Sequence, residues 1–105
     1  MRILFDQGTP VPLRRHLCPH VVDTAAELGW STLQNGDLLA QAEAAGYKLL
    51  LTKDQHLRHQ QRLEGRKIGL VVLMTTSWPK IQKQVARVQQ VVSDLPGGGY
   101  AEVSL

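Results

Sequence analysis

Three short apolar runs constrain this chain more than anything else in it: Arg2-Ile3-Leu4-Phe5, Lys48-Leu49-Leu50-Leu51-Thr52 and Ile68-Gly69-Leu70-Val71-Val72-Leu73-Met74. Each is too short to stand as a helix, and none alternates apolar with polar residues as a strand with one wet face does. Near-continuous apolar strands are buried on both sides, which implies a parallel sheet covered by helices on both faces. A further extended piece spans His20-Val21-Val22-Asp23-Thr24, and Tyr100 to Leu105 reads as a final edge strand.

Helix signals fall between the strands. Thr9-Pro10 reads as an N-cap followed by proline at the first helical position, with a helix from Val11 to Leu17 stopped at Cys18-Pro19. Gly29 to Gly36 is rich in turn residues. Asn35-Gly36-Asp37 opens a helix with Leu38, Leu39, Ala42 and Ala45 on one face, and Gly46 ends it. Gln55 to Glu64 reads as a polar, basic helix. Trp78-Pro79 opens a last helix in which Ile81, Val85, Val88 and Val92 recur at helical spacing. The order is β-α-β-α-β-α-β-α-β, with right-handed crossovers expected. In such sheets ligands bind beyond the carboxyl ends of the strands.

A chain of 105 residues is read as one domain, 1–105. Its 43% hydrophobic and 20% charged residues argue against disorder. No apolar run approaches the ~20 residues of a membrane helix, so no membrane partner is expected. Met1 to Asp6 reaches a charge too soon for a signal peptide, which makes the cytoplasm the expected location. The single cysteine, Cys18, makes neither an internal disulfide nor a cysteine-rich zinc site. His16, Cys18 and His20 alternate and His56 and His59 sit three apart, but no second pair has zinc spacing.

Three acids are expected on the carboxyl edge of the sheet: Asp6 after the first strand, Asp37 at the second helix start and Asp54 after the third strand. Clustered carboxylates repel unless a divalent ion sits between them, and Mg²⁺ or Mn²⁺ prefers such oxygen ligands. The plainer reading is that each Asp merely caps a turn or helix.

The segments Asp6-Gln7-Gly8-Thr9-Pro10, Asn35-Gly36-Asp37-Leu38-Leu39 and Thr52-Lys53-Asp54-Gln55-His56-Leu57 carry a resemblance to the PIN-like domains, and within them to short bacterial proteins suspected to be toxins of toxin–antitoxin pairs. The resemblance covers nearly the whole chain in element order. It implies a three-layer α/β sandwich around a mostly parallel sheet of four to five strands, and a metal-dependent ribonuclease that cuts single-stranded RNA. By position, Asp6, Asp37 and Asp54 would hold Mg²⁺ or Mn²⁺, with Thr52 beside them as a catalytic-site hydroxyl. The resemblance further implies an antitoxin partner and a homodimer. Relatives often carry an acid or Asn where Gln7 stands, and full nucleases of this type commonly use four acids. Asp23 and Glu27 are the candidates for a fourth, with Asp94 a poorer one.

Lys48, Lys53, Arg58, Arg62, Arg66 and Lys67 crowd one stretch and could track a phosphate backbone, with Lys53, Arg58 and Arg62 the RNA-binding candidates. Against this stands a merely solvated helix face. The net charge of +3, from 12 Lys and Arg against 9 Asp and Glu, is compatible with a polyanion without requiring one. Trp30, in a polar turn, is the better aromatic contact candidate; Trp78 is assigned to the core, and Gly97-Gly98-Gly99 to a turn. Two alternatives differ in class. One is a PIN-like module without catalysis that binds RNA or protein, motivated by the absent fourth acid. The other is a receiver-like phosphoacceptor using Asp54 with Thr75 or Thr76, against which stands the single acid of Asp6-Gln7.

Overall fold

A computed structural model of the chain describes residues 1–33, 35–55, 66–95 and 98–104. The apolar runs form β1 (Arg2–Phe5), β3 (Leu49–Thr52) and β4 (Gly69–Leu73), joined by β2 (Val21–Thr24) and β5 (Tyr100–Val103). Between them lie a 3-10 helix, η1 (Val11–Leu17), and the α-helices α1 (Asn35–Ala44), α2 (Trp78–Lys83) and α3 (Val85–Asp94). The five strands make one sheet in the order β2-β1-β3-β4-β5, every neighbouring pair parallel. The fold is therefore α/β, a parallel sheet flanked by helices on both faces. The expected basic helix Gln55 to Glu64, with His56, Arg58, His59 and Arg62, lies outside the described residues beyond Gln55, as does Gly97.

Register explains why the strand sequences do not alternate. Leu4, Leu50 and Leu70 are aligned across the sheet and face one core; Phe5, Leu51 and Val71, one residue on, face the other. Both sets are fully buried. Burying each such side chain contributes roughly 1.5–3 kcal/mol, so no polar position is tolerated on either side. The first core, that of Phe5, Leu51 and Val71, is covered by Leu13 and Leu17 of η1, Ile81 of α2, and Val88 and Val92 of α3. The second is covered by Leu38, Leu39 and Ala42 of α1, with Ala25, Tyr47 and Ile68.

Four expectations need correction. Thr9 does not cap η1: the capping position is Pro10, while the buried Thr9 hydroxyl donates to the Leu51 carbonyl at 3.2 Å, fastening the turn after β1 to β3. The single last helix is two, parted at Gln84, whose φ of −129° and ψ of 31° leave the helical region. Crossovers do not share one hand. The β1–β2 and β4–β5 connections run in opposite directions across the sheet, yet both lie on the first face, so they have opposite hands. The short η1 brings only Leu13 and Leu17 to that face, and α2 and α3 supply the remaining cover. Finally, Trp30 is not a free contact surface. It is half-buried against the second core and meets Tyr47 edge-on, ring centroids 6.2 Å apart. Trp78 packs against the first core as expected.

Among the described residues no helix is long and apolar enough to cross a membrane.

Candidate functional site

The chain leaves β1 toward β2 on one side, while β3 lies on the other. From β3 the chain goes on to β4, away from β1, so the strand order reverses between β1 and β3, the place where open parallel sheets bind ligands. A cleft of about 610 Å³ occupies it, lined by Asp6 and Gln7 after β1, Ser31 and Leu33 after β2, and Lys53, Asp54 and Gln55 after β3. The turn after β1 is held to β3 by the Asp6 N–H donating to the Leu51 carbonyl at 2.9 Å, beside the Thr9 hydroxyl on the same oxygen.

The site centres on Thr52, the last residue of β3 and fully buried. Its hydroxyl donates to Asp6 Oδ2 at 2.7 Å, and its Oγ accepts the Asp54 N–H at 3.1 Å. Asp6 Oδ1 accepts the Gln7 N–H at 2.7 Å. Both oxygens of Asp6 thus accept short hydrogen bonds, which orient the carboxylate. Each oxygen retains a second lone-pair direction. Lys53, exposed, lays its side chain over Gly8, since a Cβ added there would stand 2.7 Å from Lys53 Cε. Among the described residues, one cation and two carboxylates therefore share the cleft.

Asp37 is not brought into this group. It is exposed in the first turn of α1, where it complements the positive end of the helix, and it does not line the cleft. The candidates for a fourth acid are engaged elsewhere. Asp23 accepts the Tyr47 hydroxyl at 2.6 Å. Glu27 pairs with Arg14 and exchanges hydrogen bonds with Thr24, through its carboxylate at 2.9 Å and its N–H at 3.1 Å. These partners, Arg14 foremost, hold the Glu27 carboxyl below its ordinary pKa. Asp94 accepts from Gln90 on α3. Among the described residues no three of His, Cys, Asp and Glu are placed to hold a metal ion together. The donor set that remains at the cleft among the described residues is Asp6 and Asp54, carboxylate oxygens of the kind that Mg²⁺ and Mn²⁺ take. It does not fit a cage of three protein acids.

The basic stretch is divided by the sheet. Lys53 follows β3 at the cleft, whereas Lys48 precedes β3, and Arg66 and Lys67 precede β4, at the opposite edge. Arg66 is there paired with Glu43 at 3.5 Å. Thr75, offered as a phosphoacceptor partner for Asp54, accepts the Ser77 N–H at 3.1 Å and does not line the cleft. Ser31, Leu33 and Gln55 went unnoticed in the sequence. The available signal was the rule that loops at the carboxyl edge line the site, applied also to the loop after β2.

No protein-family model matches the chain, and neither the curated proteins nor the solved structures gave a match.

Proposed function

We propose that this chain is a PIN-like, Mg²⁺- or Mn²⁺-dependent ribonuclease that cuts single-stranded RNA in the cleft between the ends of β1 and β3. The observation that carries the reading is the chain of hydrogen bonds from the Asp54 N–H to the Thr52 hydroxyl to the Asp6 carboxylate, on the wall of a cleft that Lys53 also lines. Asp6 and Asp54 would hold the divalent ion, which would supply charge stabilisation at a phosphoryl oxygen and an activated water. Thr52 fixes the rotamer of Asp6 through its hydroxyl. Lys53 neutralises the approaching phosphodiester, and Gln7, Gln55 and Ser31 offer hydrogen bonds to phosphate or ribose. The resemblance extends this reading to a toxin held silent by an antitoxin protein, and to a homodimer.

The test is cleavage of end-labelled single-stranded RNA by the purified chain with Mn²⁺ or Mg²⁺, beside Asp6→Asn and chelated controls. Cleavage that needs the metal and is lost in Asp6→Asn is expected; equal activity in Asp6→Asn overturns the assignment. A second reading is a module that binds RNA or protein without cutting it. The exposed position of Asp37 outside the cleft favours it. It predicts RNA binding with no metal-dependent cleavage at any concentration.

A further inference from the structure

From Thr75 to Ser93 the chain carries Lys80, Lys83 and Arg87 and not one Asp or Glu. All three cations are exposed, and among the described residues no carboxylate pairs with any of them. Lys80 and Lys83 are three apart on α2 and so lie on one side of it. Arg87 follows four residues later in the first turn of α3. No large apolar side chain of either helix is exposed: Ile81, Val88 and Val92 are turned into the core. The exposed positions between the cations are amides or small residues, among them Gln82, Gln84 and Ala86.

That composition selects the partner. Protein interfaces rest on aromatic and apolar anchors and are depleted in lysine. A surface of cations and amides with no apolar anchor suits a phosphodiester backbone, which takes salt bridges and side-chain hydrogen bonds without a hydrophobic core. Its position matters too. The α2 helix begins five residues after β4 ends, and β4 is the immediate neighbour of β3, which delivers Lys53 and Asp54 to the cleft. The basic surface therefore starts near the same carboxyl edge of the sheet but on its first face, whereas Leu33 of the cleft wall packs against the second core, so a strand leaving the cleft reaches it by rounding that edge. We infer that Lys80, Lys83 and Arg87 form a second phosphate-tracking surface, along which a single-stranded RNA longer than the cleft continues over α2 and the first turn of α3, short of the exposed Asp94 at its end. The substrate class rests on the ribonuclease reading above; the charged surface does not.

The test measures binding of a labelled single-stranded oligouridylate to the full chain over a range of salt. The Asp6→Asn background keeps the strand intact, and the triple variant K80Q/K83Q/R87Q is compared within it. Losing three phosphate contacts should make the slope of log affinity against log salt shallower by about 2. Lys48→Gln, which removes one cation from the opposite edge of the sheet, should leave the slope as it was. Because the three positions are exposed, the melting temperature should not change. An unchanged slope in the triple variant overturns the inference. So does binding of polyglutamate, in place of RNA, that depends on the same three residues, since it would mark an acidic protein partner. The two readings fail separately. Metal-dependent cleavage of a dinucleotide with an unchanged slope removes the second surface alone. The expected slope change with no cleavage by the wild-type chain removes the nuclease alone.

Discussion

The Thr52 hydroxyl donates to Asp6 Oδ2 at 2.7 Å across 46 residues of sequence, joining the ends of two adjacent parallel strands. Because Thr52 is fully buried while Asp6 is half-exposed, the bond fixes a carboxylate at the cleft wall from behind. Thr52→Val keeps the shape and removes the hydroxyl. It should cost about 1–3 kcal/mol, the range for a hydrogen bond to a charged group. It should also reduce cleavage through kcat, while Thr52→Ser restores both. Equal activity in Thr52→Val and wild type would deny Thr52 its positioning role.

Gly8 has a φ of +92°, and a Cβ there would stand 2.7 Å from Lys53 Cε. Gly8→Ala should destabilise the fold by about 1–3 kcal/mol through the left-handed backbone. It should also displace the Lys53 side chain, which is flexible enough to move. Weaker RNA binding with a shallower salt dependence is expected. Lys53→Gln should reproduce the binding loss without the stability loss, which chemical denaturation would show.

Tyr47 bonds Asp23 at 2.6 Å, meets Trp30 edge-on, and lies beneath the Arg2 guanidinium, 4.3 Å from its ring centroid. Tyr47→Phe keeps the ring contacts and should cost about 1–3 kcal/mol for the lost charged hydrogen bond. Burial first, and the Asp23 bond second, raise the phenol above its ordinary pKa of 10.0. The folded chain therefore holds this proton more tightly than the unfolded one, and the associated stability falls as pH rises above 10.0. Denaturation at alkaline pH should show that loss in wild type and not in Tyr47→Phe.

Glu43 ties α1 to the start of β4 by accepting the Lys67 N–H at 2.7 Å and the Ile68 N–H at 3.3 Å, with Arg66 beside it. The Lys67 bond, more than any other contact, draws its carboxyl below the ordinary 4.5. The unfolded chain takes up this proton first as pH falls, so the stabilisation is complete above 4.5 and is lost as pH drops through the lower folded value. Glu43→Gln should be less stable than wild type at neutral pH, and the difference should shrink in acid. A constant difference would show that the charge is irrelevant to this contact.

What was legible in the sequence follows from the range of the forces involved. Leu49 to Leu51 and Gly69 to Leu73 announce strands because burial on both faces leaves a local signature in consecutive residues. The placing of Asp6 and Asp54 at one edge followed from strand direction alone. The Thr52–Asp6 bond did not, because it depends on β3 lying beside β1, and strand order is set by packing of the whole sheet. Direction also divides the described part of the basic stretch. Lys48 and Lys53 are close in sequence but flank a strand, and so stand at opposite edges. Asp37 stands in the first turn of α1 and does not line the cleft, since a helix start can satisfy an Asp locally. Trp30 looked exposed amid polar neighbours, but its N–H donates to the Ala25 carbonyl at 2.8 Å, a turn that carries the ring back onto the second core.

Binding of the metal to Asp6 and Asp54 is the claim on which the rest depends, and it needs no knowledge of the RNA target. The direct measurement is the melting temperature of the wild type, Asp6→Asn and Asp54→Asn during titration with Mn²⁺ and Mg²⁺. At a hundredfold over its dissociation constant the ion should add ~2.7 kcal/mol. For a chain of this size that is roughly 10–20 °C. A wild-type rise that both variants lose is the predicted result. A rise that persists in both variants, or no rise at millimolar metal, contradicts a two-carboxylate site at the cleft.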